Sequence, residues 1–587
     1  MTIALGLLAV GPSAAAASGP RVVLAWVPSE TTVAQMAAAG LSPGVMSAGL
    51  GTVPPEQTYL DIGQGNRVFD SLYDSPLPQR QGNRSRWWRE VVERAESAPA
   101  DIVPGLLAAS LGKAGAAAAF EVRSAALDRL PARGSNDLVI AIARPTGSSD
   151  EPLPIGISGE GFEGNLTSDS TRTDGYVLST DVAPTILNRL DIAIPSEMSG
   201  QPIRAEGSVD VAAIESLAAR MDVISSRRGP VIGLPIAAWL LLALLISVAS
   251  RGSLARVAVR VLALSLVYLP LLLLLGAGLK PGEGAEALLV ALGAPLLAGL
   301  TLAALPGYRA LAVASAVTVL AYAADAIAGS PLTSLSLLGP NPGLGVRFYG
   351  IGNELEALLS VLVVAGTGAG LAAFAAGWSR RTSAVAFLAL GMVAAAVFAA
   401  GRFGADVGAA IVFPVGAVVA AAVVTERGGR TALLGVLAVP FAALALLALV
   451  DLVSGANAHL TRSVLDAGGL GDLGDVAQRR LQLSGNSFAR PVLLVFLPVV
   501  ALLAALAITR RDQLRAWVEA VPAVRAGLLG ALAATVVGTL ANDSGALLLE
   551  IGTAYLLVFA GFAWAEAGSS RRRDTFADKK LQSSTHA

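Results

Sequence analysis

Two hydrophobic patterns divide the chain. From Pro230 to Ala567, long apolar runs alternate with short polar breaks, whereas residues 20–225 carry only short apolar runs between polar stretches. A helix needs about 20 apolar residues to cross the hydrocarbon core of a bilayer. By that measure the second half predicts eleven spans, near 231–250, 257–278, 285–305, 309–328, 352–377, 383–400, 405–424, 431–452, 491–509, 523–541 and 545–566. The multi-span region is therefore 230–567, followed by a tail at 568–587.

In the first half, Val22–Val27 and Leu138–Ala143 read as strands, and Ala-rich stretches such as 104–130 read as helices. That alternation predicts an α/β domain over 20–225 with a mostly parallel sheet. Ahead of it, residues 1–18 place the apolar Ile3–Val10 before the small-residue run Ala14–Ala17. This is the hydrophobic region and cleavage end of a secretory signal, although the positive amino-terminal region is missing. The other reading is an apolar N-terminal strand. A signal predicts that the α/β domain lies outside the cytoplasm.

Charge sharpens the division. Residues 230–567 hold 19 basic and 16 acidic side chains in 338 positions, and the other 249 positions hold 23 and 27. If Pro230 starts outside, the inner loops and tail hold 17 Lys and Arg against three in the short outer loops. Lys and Arg accumulate on cytoplasmic loops, so the tail is expected inside and the α/β domain outside the plasma membrane. Arg227 and Arg228, just before the first span, run against that trend. The 454–490 loop, which holds His459, reads as a broken interfacial helix on the outer leaflet.

Composition removes several chemistries. The chain has no Cys, which excludes disulfides, thiol nucleophiles and Cys-bound metals, and its two His, His459 and His586, leave the first 450 residues without imidazole. A net charge of −1 argues against a nucleic-acid partner. No cofactor or metal site is expected.

Ionisable groups within spans are costly and are functional candidates by default. Here they collect in three Gly-bearing motifs at expected helix ends: Arg347, Asn353, Glu354 and Glu356 in GLGVRFYGIGNELEA, Arg402 and Asp406 in GRFGADVGA, and Asn542, Asp543 and Ser544 in ANDSGA. Glu550 follows two turns deeper, and Asp325 closes the fourth span. Arg347 and Arg402 suit bidentate contact with phosphate or carboxylate. Asp406, Asp543 and Glu354 suit a base or an oxygen ligand to a hard cation. Against this stands a structural reading, in which the motifs are turns, caps and ion pairs. In the N-terminal domain, NRSRWWRE at 83–90 is either a headgroup-facing basic-aromatic cluster or, as favoured here, an exposed helix face with its Trp docked.

The segment TDVAPTILNRLDIAIPSEMSGQPI, Thr180–Ile203, resembles the closing segment of the alkaline-phosphatase/sulfatase superfamily. There an Asp-x-x-Pro-Thr run opens a helix, and a Gly near a Met closes the fold. In that frame Val22–Val27 is the first strand, Leu41–Met46 the pre-strand turn, and Tyr59–Arg67 (YLDIGQGNR) the stretch passing the active site. The middle of the domain is much shorter than the family's. The resemblance implies an Asp metal ligand after the first strand and an Asp-His pair after a later one. Ala25-Trp26-Val27-Pro28-Ser29 and Ile142-Ala143-Arg144-Pro145-Thr146-Gly147 stand there instead. Two-metal phosphoryl or sulfuryl transfer needs those ligands, so the domain is expected to be catalytically degenerate. Asp61 and Asp181 are then structural, with Asp181 read as the N-cap of a helix that has Pro184 in its first turn.

An ectodomain ahead of many spans is similar in layout to the ethanolamine-phosphate transferases of glycolipid-anchor synthesis, and layout does not carry function. The expected protein is an α/β extracytoplasmic domain on an all-α bundle of about eleven helices. It would act at the outer face of the plasma membrane on a lipid-linked or anionic envelope substrate, with membrane lipid, an envelope precursor or an envelope protein as partner. Two alternatives stay open: a transporter or flippase of an amphipathic substrate, and a non-catalytic assembly scaffold. The absence of mid-span charge and of an internal repeat favours a one-sided site over a transport path.

Overall fold

A computed structural model describes residues 20–79, 84–130, 137–250, 252–345, 347–427, 429–430, 521–542 and 544–584, with isolated positions between 434 and 488. Residues 1–18, most of the expected span 431–452, all of 491–509, His459 with most of its loop, and Asp543 lie outside the described residues. The chain divides into two compact units, Met1–Ser225 with Asn341–Phe348, and Ser226–Pro340 with Tyr349–Ala587.

In the first unit the strands are β1 Val22–Val27, β2 Ser42–Ser47, β3 Phe120–Ser124, β4 Leu138–Ala143, β5 Leu153–Ser158, β6 Asn165–Thr167, β7 Tyr176–Leu178 and β8 Arg204–Glu206. The six-stranded sheet runs β3-β1-β4-β5-β2-β7, and β6 pairs with β8 apart from it. Strands β1 and β4 are buried along their whole length, as near-continuous apolar strands covered on both faces must be. One face packs Trp26, Ile62, Ile140, Ile155 and Ile186, and the other packs Val27, Met36, Leu41 and Ala141.

Three sequence expectations need correction here. The sheet is mixed, because β5 runs antiparallel to both β4 and β2 while β1–β3, β1–β4 and β2–β7 are parallel. Only residues 144–152 join β4 to β5, and a parallel return needs a crossover of about a dozen residues or more. Leu41–Met46 is not a turn: Ser42–Ser47 is a buried interior strand despite Pro43 and Gly44, since pairing on both sides overrides local preference. The 104–130 stretch is α-helical only over α4, Leu106–Lys113, with single 3-10 turns at Ala117–Ala119 and Leu127–Arg129 on either side of β3, which lies on the edge beside β1.

Asp181 is buried, but its side chain does not cap the helix α5, Val182–Arg189. Its carboxylate instead accepts from Ser168 Oγ (2.7 Å), Ser170 Oγ (2.5 Å), Leu178 N (2.9 Å) and Gln201 N (2.9 Å). It thus clips together the segments on either side of β7. Trp87 is docked: it is 3% exposed, packs with Leu60 and Val91, and donates Nε1–H to Pro78 O at 2.9 Å. The arginines at 84, 86 and 89 of that helix, Arg84–Glu96, stay exposed.

Residues 341–348 come from the middle of the apolar half yet pack with the α/β unit. Arg67 donates to Gly345 O (2.8 Å), Ser47 Oγ (3.1 Å) and Gly49 O (3.2 Å), and Gly51 N donates to Leu344 O at 2.8 Å. Gly345 has φ +72°, and a Cβ there would collide with Gly49 O, so this position requires glycine.

Among the described residues, eight helices have the length and composition of membrane spans: Ile224–Ala249, Ser253–Leu279, Glu283–Ala304, Tyr308–Ile327, Asn353–Phe374, Arg380–Ala399, Pro522–Ala541 and Gly545–Ala567. A ninth apolar helix, Ala409–Val424, is shorter. These nine fall on nine of the eleven expected spans. Asn353–Phe374 is the most enclosed, with 72% of its apolar window buried, against 17% for Ile224–Ala249. Small residues bring the inner helices together. Gly368 lies against Gly527 and Ala523 O, and a Cβ on Gly530 would collide with Gly416 O.

Candidate functional site

The three polar motifs meet at one end of the second unit, joined by direct hydrogen bonds. Gly350 has φ +76°, and a Cβ there would collide with Gly404 O. That close approach lets Ile351 N donate to Gly404 O at 3.0 Å, which ties the first motif to the second, while Gly350 N donates to Ser330 Oγ at 3.0 Å. Asn353 then opens its helix. Asn542, at the extended end of Pro522–Ala541, donates Nδ2–H to Asn353 Oδ1 (3.2 Å) and to Glu356 Oε2 (2.9 Å). Its own Oδ1 accepts from Ser544 N at 3.0 Å, which orients the amide.

The centre of this arrangement is Glu356, one of the ionisable residues of the first motif. It is 0% exposed, and a Cβ on Gly408 would lie 2.5 Å from its Oε2. The sequence signal was its position three residues after Asn353, which places both on one helix face. Burying a carboxylate costs several kcal/mol unless donors compensate it. Here the Asn542 amide donates to Oε2, and the amino end of Ala409–Val424, whose Gly408 lies beside the carboxylate, adds part of the compensation through its helix dipole. Asp406 shapes the same helix end: its Oδ1 accepts from Gly408 N (2.9 Å) and Ala409 N (3.3 Å).

The remaining expected residues are placed differently. Glu354, next to Asn353, pairs with Arg228 at 3.3 Å. Arg227 pairs with the fully buried Glu286 at 2.9 Å. The two arginines that run against the inside-positive trend are thus both engaged by carboxylates. Arg402 is exposed, with its guanidinium carbon 5.0 Å from the Phe403 ring centroid. Arg347 belongs to the 341–348 segment of the α/β unit and is half-buried. Asp325 accepts from Leu332 N (3.0 Å) and Thr333 N (2.8 Å), a cap on the turn that ends its helix.

In the α/β unit, Asp61 sits on α2, Pro55–Gln64, and is 1% exposed. Burial pushes its carboxyl up to about 7, although Gln57 and Gln64 donate to Oδ1 at 2.7 and 3.1 Å and the Arg67 and Arg94 charges oppose the rise. Burial also holds the Tyr176 hydroxyl up at about 12. Asp61 is held by the side chains of its own helix, and the Tyr176 hydroxyl donates to Pro342 O at 3.4 Å.

No family model, curated protein or solved structure matches this chain. The chemistry of the helix-end cluster therefore rests on its own geometry. The cluster brings together the oriented Asn353 and Asn542 amides, the buried carboxylates of Glu356 and Asp406, and the exposed guanidinium of Arg402.

The contact between Gly408 and Glu356 gives a direct test of the packing. Gly408→Ala should force the carboxylate out of its seat and lower the melting temperature in detergent by several degrees, as overpacking typically costs about 1–3 kcal/mol. Gly284→Ala, where a Cβ meets nothing within 4 Å, should leave it unchanged or raise it.

Proposed function

We propose that this integral membrane protein binds, or transfers, a lipid-linked anionic envelope substrate at the outer face of the plasma membrane, using the helix-end cluster. One observation carries the reading: motifs up to about 200 residues apart are joined by the Asn542–Glu356, Asn542–Asn353 and Ile351–Gly404 hydrogen bonds, with the exposed Arg402 guanidinium on the same turn. Arg402 would take the oxyanion, and Asn353 and Asn542 would orient it. Asp406 holds the turn in place, and Asp543 is proposed as a further contact. The 17-to-3 distribution of basic residues supports the outer placement. The polar atoms belong to the first turn of Asn353–Phe374 and the last residue after Pro522–Ala541, which favours a site open to one side over a path through the bundle. The α/β domain is read as an alkaline-phosphatase-like ectodomain without catalytic ligands, supported by the β1 and α5 placement of the matching segments and by the lack of His.

Retention of a polyprenyl phosphate by the purified protein tests this reading. The wild-type chain should retain it in preference to a zwitterionic lipid. Arg402→Ala should weaken retention about tenfold or more, the worth of one charge-assisted contact, and Arg402→Lys should weaken it less. Because Arg402 is exposed, folding should be unaffected. Equal retention by wild type and Arg402→Ala would overturn the assignment.

A further inference from the structure

The carboxyl ends of β3, β1 and β4 lie side by side at one edge of the sheet and border a cleft of about 960 Å³. In sheets with parallel strands, ligands bind in the crevice outside those ends. The walls of this cleft are the loops leaving the three strands, and its basic groups are Arg123, Arg129 and Arg144. Arg123 is held by Glu121 at 2.7 Å. Arg144 and Arg129 are exposed, and Arg144 donates to Ser124 Oγ at 3.1 Å. Trp26, the penultimate residue of β1, also lines the cleft. It is 0% exposed, its ring packs edge-on to Tyr59 with centroids 4.7 Å apart, and its Nε1–H has no hydrogen-bond partner among the described residues.

We propose that this cleft is a binding site for a carboxylate-bearing, hydroxyl-rich ligand, a sugar acid. Arg129 and Arg144 would take the carboxylate in the bidentate geometry that guanidinium favours. The hydroxyls of Ser29 and Thr146 on the wall would meet the sugar's own hydroxyls. The charge count selects a singly charged ligand, because three arginines face Glu30 and Glu121 and leave one net positive charge. The volume suits a ligand of a few rings. This site is independent of the helix-end cluster and does not rest on the reading given for it.

Titration calorimetry on the full chain in detergent tests the site, with glucuronate, glucose and inorganic phosphate as probes. Glucuronate should bind at millimolar concentration or below, and glucose should not. The double variant Arg129→Gln, Arg144→Gln should weaken glucuronate binding about tenfold or more without altering the melting temperature, since both positions are exposed. No glucuronate binding, or binding unchanged in the double variant, would overturn the proposal. Inorganic phosphate binding as tightly as glucuronate would overturn the carboxylate assignment.

Discussion

Replacing Asn542 with Leu should destabilise the apolar half by roughly 2–4 kcal/mol, seen as a drop of several degrees in melting temperature in detergent. The wild-type amide donates to Glu356 Oε2 at 2.9 Å and to Asn353 Oδ1 at 3.2 Å. Leu removes both donations while the Glu356 carboxylate stays buried at 0% exposure. The cost is asymmetric, because losing a donor leaves its acceptor desolvated, whereas losing both partners is cheaper. The double variant Asn542→Leu, Glu356→Gln should therefore recover part of the loss, since a neutral amide is easier to bury than a carboxylate. A melting temperature unchanged by Asn542→Leu, or no recovery in the double variant, would show that the bridge does not hold the three motifs together.

Asp61 should make the α/β domain lose stability as pH rises, the reverse of the behaviour of an ion-paired carboxylate. Its carboxyl is raised from 3.8 to about 7, with burial as the largest cause. Between those values the folded state holds a proton that the unfolded state has released. The contribution of Asp61 to stability is therefore greatest below about pH 4, falls by about 1.4 kcal/mol per unit, and levels off above about pH 7, a total near 4 kcal/mol. Asp61→Asn keeps an acceptor for Gln57 and Gln64 and removes the titration. Hydrogen exchange of peptides covering β1 and α2, compared between wild type and variant, isolates this group from all others. The variant's extra protection should be near nil at pH 4 and should grow to about 4 kcal/mol by pH 8. A difference independent of pH would mean that Asp61 titrates as an ordinary carboxylate.

Much of the secondary structure was legible because burial writes itself into composition. VVLAWV and LVIAIA are apolar at every position since both faces of those strands are covered. The apolar helices were legible for the same reason, their length being set by the bilayer. Leu41–Met46 is a turn only in the frame of the family resemblance, and the two pairing partners of Ser42–Ser47 make it a strand despite Pro43 and Gly44. The 104–130 stretch was misread because Ala is a strong helix former, whereas Phe120–Ser124 is held by its ladder with β1.

The candidate site divides along the same line. By itself the sequence determined that charged and amide residues cluster in three Gly-bearing motifs at helix ends, because charge is tolerated there and not at mid-span. It also determined that thiol chemistry is absent throughout and that imidazole is absent from the first 450 residues. Only the tertiary structure decided which of those residues meet. Glu354 turns to Arg228, Glu356 becomes the buried partner of Asn542, Arg402 stays exposed, and 341–348 packs with the α/β unit. The physical reason is that a hydrogen bond between residues 356 and 542 depends on the close packing of helices far apart in sequence. That packing is set by glycine contacts such as Gly416 against Gly530, and no local pattern records it.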